Sequence, residues 1–409
     1  MAPEIRRVRA DEMTAMVDVL TTAFLERPDA AKIAEKLRPL WDLERVWAAF
    51  DGSRMCGTFR SWATELTVPG GAQLPAAGVV AVTVLPTHRR RGFLRAMVSE
   101  AHGAIRESGE AFGLLYAAEY PIYGRFGYGP GCTAATWTLS TLDTGFHGEP
   151  ARGVDLEPPS EASRDVIQGV YDACRLRQHG EIRRREFNWD HDLGLREPVW
   201  DKPWKGFLIV HRDPGGNADG YARYRAEDKW EQHQPRSVLI VDDLHAGTDD
   251  AYAALWRFLA DTDLVATVKA EGRSPAERLP WLLTNARAAH VSDVGDGLWV
   301  RLFDIPRALE ARTYEGEGSV VLDIVDPEAP GGRLRFRLDV EAGGATCRPT
   351  DRSPDLTLNV SALGAAYLGG TRLRDAVVPT GADEHTEGAL ARADALLAIR
   401  DEPWCSTSF

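Results

Sequence analysis

The stretch from Val79 to His102, VVAVTVLPTHRRRGFLRAMVSEAH, holds the residue types and spacing in this chain best suited to chemistry. A β-branched run stops at Pro86, the arginines Arg89, Arg90 and Arg91 follow, and Gly92 opens a segment with helical periodicity. The N–H groups of a first helical turn have no intrahelical acceptor, and the helix dipole makes that end positive. Phosphate oxygens suit such a place. Arginines beside it add charge-assisted hydrogen bonds, and a glycine lets the backbone come close. The pattern predicts a pyrophosphate cradle; a solvated basic helix start would use the same residues. Further on, GLLYAAEYPIYGRFGYGP puts an apolar strand before Tyr123–Gly124–Arg125–Phe126–Gly127–Tyr128.

A strand, an Arg-x-x-Gly loop, a helix, a second strand and a Tyr-x-x-Phe-Gly-Tyr segment resemble the GNAT N-acetyltransferases. Within them, RRRGFLR with IYGRFGYGP resembles the enhanced intracellular survival (Eis) family; Leu94 departs from the general GNAT pattern, which favours Gly or Ala there. The resemblance covers the whole chain, including PDLTLNVSALGAAYLGG and the C-terminal Phe409. It implies an α/β and α+β fold: tandem GNAT-like domains, the second without a cofactor motif, then a sterol-carrier-protein-like α+β domain.

The resemblance also implies acetyl-CoA as co-substrate and no metal. Val82, Thr83 and Val84 would offer backbone groups to the pantetheine arm as an added strand does, while their side chains pack in the sheet. Arg90, Arg91, Gly92, Phe93, Leu94 and Arg95 would wrap the pyrophosphate, with Ala118 and Glu119 beside the thioester. Tyr123 matches the family's general acid: a phenol with a pKa near 10 can protonate the departing thiolate. The α-carboxylate of Phe409, ionised at neutral pH, would be the general base. Ser408 stands before it where the family often has a more acidic end. Trp404 and Phe409 give the tail apolar anchors against fraying. Cys56 and Cys132 lack a nearby His motif, so direct transfer in a ternary complex is expected rather than a covalent enzyme intermediate.

Family members act on primary amines of polycationic acceptors, and an aminoglycoside-like, polyamine or lysine amine is implied here. Glu26 and Asp29 are candidates for an acidic rim; Trp41, Trp47 and Trp62 would serve as aromatic walls or as core. A homohexamer is implied as well. The alternative is a non-catalytic CoA- or lipid-binding protein on the same scaffold. The helix GALARADALLAI would either line a lipid tunnel or cover a sheet.

These residues need elements to hold them. MTAMVDVLTTAFLE predicts a first helix, 30–37 a second, 92–107 a third, and GVVAVTVLP and GLLYAAE two strands. The Pro/Gly-rich segment 148–160 reads as a linker, giving domains 1–150, 151–305 and 306–409. Strands and a helix recur in the second in a similar order. Three alternating strands and two helices fill the third.

The 409 residues carry a net charge of −13, divided as −1, −6 and −6 among those domains. That balance excludes a nucleic-acid coat. Apolar stretches fall short of the roughly 18 residues a membrane helix needs, and the N-terminus lacks a signal-peptide core. Five scattered cysteines without metal-ligand spacing suit a reduced cytoplasm and no metal site.

Overall fold

The computed structural model describes residues 3–149, 152–200 and 202–409. The chain begins β1 (Glu4–Arg7), α1 (Met13–Ala23), α2 (Ala30–Leu37), β2 (Val46–Asp51), β3 (Arg54–Thr67), β4 (Gln73–Val84), α3 (Phe93–Glu107), β5 (Phe112–Leu115), β6 (Gly129–Pro130) and β7 (Thr133–Ser140). It continues with β8 (Val154–Glu157), α4 (Glu161–Arg175), α5 (Glu186–Asp192), β9 (Phe207–Arg212), β10 (Ala218–Glu227), the short pair β11 (Trp230–Glu231) and β12 (Gln234–Pro235), and β13 (Ser237–Ala246). Then come α6 (Asp249–Ala260), β14 (Val265–Arg273), α7 (Leu279–Leu282), β15 (Ala289–Asp296) and β16 (Trp299–Leu302). The last part holds α8 (Ile305–Ala311), β17 (Gly318–Val325), β18 (Arg333–Glu341), β19 (Gly344–Pro349), β20 (Leu356–Asn359), α9 (Val360–Ala366), α10 (Leu373–Ala376), β21 (Ala382–Glu384) and α11 (Ala389–Leu397).

Local rules account for the helices near the site. In α1 the buried face is Met13, Met16, Val17 and Leu20, the apolar spacing of a helix against a sheet. Asp29 ends the loop before α2 by accepting from the Lys32 N–H, so it is an N-cap rather than a free rim carboxylate.

Two seven-stranded mixed sheets follow one plan. The first has the order β1-β2-β3-β4-β5-β16-β6 and the second β15-β7-β14-β13-β10-β9-β8. Each has one parallel pair, β4 with β5 and β13 with β14, and the helix between the two strands (α3 or α6) is their crossover. The sheets also exchange a strand. β7 leaves β6 after two residues and pairs in the second sheet between β14 and β15; β16 leaves β15 equally soon and pairs in the first between β5 and β6. The expected 150/151 boundary falls on Pro150 and Ala151, outside the described residues. In sheet terms the crossing comes earlier, at β6–β7. The segment 148–160 is not all linker: Val154–Glu157 forms β8, paired antiparallel with β9. The expected strand at 113–119 is shorter, because β5 stops at Leu115 and Tyr116–Glu119 leave the sheet.

The third unit is a five-stranded sheet ordered β19-β18-β17-β20-β21 with helices packed on it. Its α9 lies directly on β6 and β16 of the first sheet. Gly129 and Gly364 permit this, since a Cβ on either would strike backbone of the facing element at 2.1 and 2.3 Å. One hydrophobic core therefore runs from Trp62, Leu66 and Val300 through Leu363 and Tyr367 to Ile324. No helix among the described residues is long and apolar enough to cross a membrane.

Candidate active site

The cleft is made by strands that start parallel and then part. β4 pairs with β5 only at Ala76–Gly78 against Phe112–Leu114; beyond that, residues 79–84 and 115–119 diverge. β3 aggravates the opening. Its register against β4 slips between Thr58 and Arg60, leaving an extra β4 residue, and Ala81 takes φ +53° to accommodate it. The buried Thr58 hydroxyl fixes the bulge by donating to the Ala81 carbonyl at 2.7 Å, with the Thr83 hydroxyl 2.6 Å away. A bulge interrupts the ladder, so backbone polar groups there are free to meet an extended ligand.

The resulting cavity of about 1130 Å³ is lined by Val82, Thr83 and Val84 on one wall and Ala118, Glu119 and Tyr123 on the other. Arg90, Gly92, Phe93, Leu94 and Arg95 line its far end. Gly92 is the N-cap of α3 with φ +88°, and Arg90 also has positive φ, +62°. A Cβ on Gly92 would meet nothing within 4 Å, so backbone conformation, and not crowding, demands glycine there. No side chain caps α3 and its first turn has no acid. By contrast α2, α4, α6, α8 and α9 are each capped by a side-chain oxygen, whereas α1, α5, α7, α10 and α11 share the uncapped start. The first-turn N–H groups of α3 are thus left for an anion in the cavity. The groups lining this cleft suit a diphosphate-bearing, pantetheine-type chain. Arg91 lies apart, donating to Asp51 at 2.8 Å.

Tyr123 is buried against Tyr128, ring centroids 6.1 Å apart, yet it also lines the cleft. Burial, with the Glu119 charge second, pushes its phenol up to about 12. The proton therefore stays on Tyr123 at neutral pH. Behind it, Tyr128 and His102 meet at 3.0 Å, and both His102 Nδ1 and Arg106 of α3 reach Glu328 after β17, at 2.9 and 2.6 Å. Burial holds His102 below its ordinary value. Burial would raise Glu328, but hydrogen bonds from His102 and Arg106 and the charges of His102 and Arg301 outweigh it and hold the carboxyl down to about 2.

Phe409 does not line the cavity beside Tyr123. Its ring packs edge-on against Trp62 and Tyr116, at 5.2 and 5.3 Å, and Tyr116 donates to the Thr407 carbonyl at 2.9 Å. Tyr116 was not among the expected site residues; its position two residues before Ala118 is the signal that could have found it. The tail is otherwise held by the second unit. Glu181 accepts from the Ser406 N–H and hydroxyl, Arg184 donates to Ser406 and Thr407, His245 meets Ser406, and Tyr171 meets Thr407, all at 2.6–3.1 Å. Trp404 stacks on His245 at 5.6 Å beneath Arg273. These contacts border a cavity of about 600 Å³ at the ends of β13 and β14, the counterpart of the first cleft. There the crossover helix α6 is capped by Thr248 and begins Asp249–Asp250, which repels phosphate.

Of the rim candidates, Glu26 is exposed beside Phe24 and Leu25, which line the cleft mouth. Trp47 is core against Phe59, and Trp41 lies under Arg60.

Sequence comparison matches an acetyltransferase (GNAT) domain at residues 4–131, a second at 180–302 and a sterol carrier protein domain at 305–406. An uncharacterised N-acetyltransferase of Streptomyces griseus is 38% identical over 418 residues, covering 100% of each chain. N-acetyltransferase Eis of Mycobacterium tuberculosis is 37% identical over 330 residues, 78% of this chain and 77% of that one. The crystal structure of Eis1 from Mycobacterium abscessus superposes with a TM-score of 0.85 at 32% identity, over 99% of this chain and 100% of that one.

Proposed function

The chain belongs to the Eis family of GNAT N-acetyltransferases, and on that premise we propose that its first cleft holds acetyl-CoA for direct transfer to a primary amine. The observation carrying this is the uncapped, acid-free start of α3 at the end of a bulged, splayed strand pair. Val82, Thr83 and Val84 would bind the pantetheine arm through backbone, and Arg90, Gly92, Phe93, Leu94 and Arg95 the pyrophosphate. Arg91 would contribute by turning from Asp51. Ala118 and Glu119 flank the thioester.

In the reaction the amine nitrogen attacks the thioester carbonyl carbon, the C–S bond breaks, and the sulfur leaves with the electron pair. Tyr123 gives that sulfur its proton. The α-carboxylate of Phe409 would take the proton from the attacking nitrogen directly or through water; the packing of its ring on Trp62 and Tyr116 supports an ordered tail. The acceptor would be an aminoglycoside-like, polyamine or lysine amine. A homohexamer in the cytoplasm, with units at 1–150, 151–305 and 306–409, completes the reading.

A CoA-release assay with an amine panel tests it. Turnover in the wild type, and a fall of about a hundredfold in kcat for Tyr123→Phe, is the expected result. Residues appended after Phe409 should lower kcat while acetyl-CoA binding persists; full activity in that extended protein would remove the proposed base.

A further inference from the structure

Strand β3 and the start of α5 carry positive charge that acetyl transfer does not use. Arg60 of β3 is 6% exposed, and its Nε is sealed from solvent without a partner. Among the described residues its guanidinium makes no hydrogen bond and no ion pair; it lies 4.5 Å above the Trp41 ring. Arg185 lies 4.4 Å above the Trp62 ring, with Asn188 Oδ1 at 3.3 Å as its one hydrogen-bond acceptor among the described residues.

Other buried arginines among the described residues are ion-paired or hydrogen-bonded. Arg184 meets Asp243 at 2.5 Å, Arg301 meets Asp326 at 2.7 Å, Arg273 meets Glu277 at 2.5 Å, and Arg312 donates to two carbonyls. Arg45, the next cation along, is neutralised by Glu110 at 2.8 Å. A buried charge without a partner is costly, so an uncompensated pair of guanidiniums marks a place where something else supplies the anion. Burial and the nearby Arg185 and Arg45 charges hold Arg60 down to about 9, which Asp42 only partly offsets.

Position connects the pair to the reaction. Alternate residues of a strand share a face, so Thr58, Arg60 and Trp62 line up together. Thr58 fixes the Ala81 bulge, Arg60 sits opposite Val80 just before it, and Trp62 carries the Phe409 ring. The two guanidiniums therefore stand between the transfer site and the tail.

We infer that Arg60 and Arg185 form an anion subsite of the acceptor pocket, which takes the carboxylate of an acceptor carrying both a primary amine and a carboxylate. This rests on the acetyltransferase reading above and narrows it. Of the three acceptor classes, the lysine amine can supply that group when it belongs to a free amino acid, whereas a polyamine brings like charge to like charge.

The test compares ω-aminocarboxylates of increasing chain length with their uncharged primary amides, in CoA-release kinetics and in thermal shift with CoA present. In the wild type the best carboxylate should exceed its amide in kcat/KM by about tenfold to a hundredfold, the strength of a charge-assisted hydrogen bond. It should also raise Tm where the amide does not. In Arg185→Met, and in Arg60→Met if it folds, the carboxylate-to-amide ratio should fall close to one. Equal kcat/KM for acid and amide in the wild type, or a preference surviving in Arg185→Met, overturns the subsite. Absence of CoA release with every amine would instead defeat the acetyltransferase reading. The thermal shift then still judges the subsite, and no carboxylate-specific shift overturns it.

Discussion

At Tyr123 two demands compete, since burial secures the proton while making the phenol a weaker acid. With its pKa pushed up to about 12, Tyr123 stays protonated throughout the physiological range. We therefore expect kcat to show no alkaline fall below about pH 10 that disappears in Tyr123→Phe. A pH–rate profile of both proteins checks this, and a Tyr-dependent limb near pH 8 would contradict it. Gly92 gives a second residue-scale outcome. A left-handed backbone costs a residue with Cβ about 1–2 kcal/mol, so Gly92→Ala should raise KM for acetyl-CoA roughly tenfold with kcat nearly unchanged in steady-state kinetics. Glycine and arginine types marked the loop before α3 in the sequence, and Arg90 and Gly92 do line the first cleft. What sequence could not give was rotamer choice: Arg91 turns to Asp51, 40 positions away, and Tyr116 matters through a tail it meets only in the fold.

Among the elements, α3 and α6 stand in equivalent places with opposite chemistry at their starts. The uncapped Gly92 invites an anion, while Thr248 with Asp249 and Asp250 closes the same position in the second sheet. That second cleft instead borders the tail, with His245 against Trp404 and Ser406. His245→Ala should accordingly lower kcat severalfold while KM for acetyl-CoA holds steady, because the cofactor cleft is untouched; a change in KM alone would argue against a positioning role. The helices α1, α2, α3, α6, α9 and α11 were readable from periodicity, and α2 occupies the expected 30–37, but α4 at Glu161–Arg175 was missed. The strand β8 was not, because Val154–Glu157 lies between Pro and Gly clusters and gains its order from β9. Likewise β5 stops short of its apolar run because the bulged β4 parts from it.

For the whole molecule, Glu328 fastens the third unit to the back of α3. Its pKa is held down to about 2 from an ordinary value near 4.5. A lowered carboxylate pKa contributes stability that is complete above the ordinary value and lost as pH falls through the lowered one. Acidification from pH 4.5 to 2 should therefore weaken the fold by about 3 kcal/mol at this residue, and Glu328→Gln should remove that part of the pH dependence in denaturant titrations. The order of three units was visible in the sequence through its succession of strands and helices. The exchange of β7 and β16 was not, since a short strand's residues specify a pleated, half-buried setting without naming the sheet that supplies it.

That exchange has a consequence for biosynthesis. The first sheet lacks the strand between β5 and β6 until residues 299–302 have left the ribosome, so the cofactor cleft waits on a sequence made far later. During that interval the nascent chain shows two open strand edges, and the growing polypeptide depends on chaperones or on speed to keep them from pairing elsewhere. A fragment ending at residue 150 should for the same reason be recovered aggregated, a result that sedimentation of the expressed fragment would register directly.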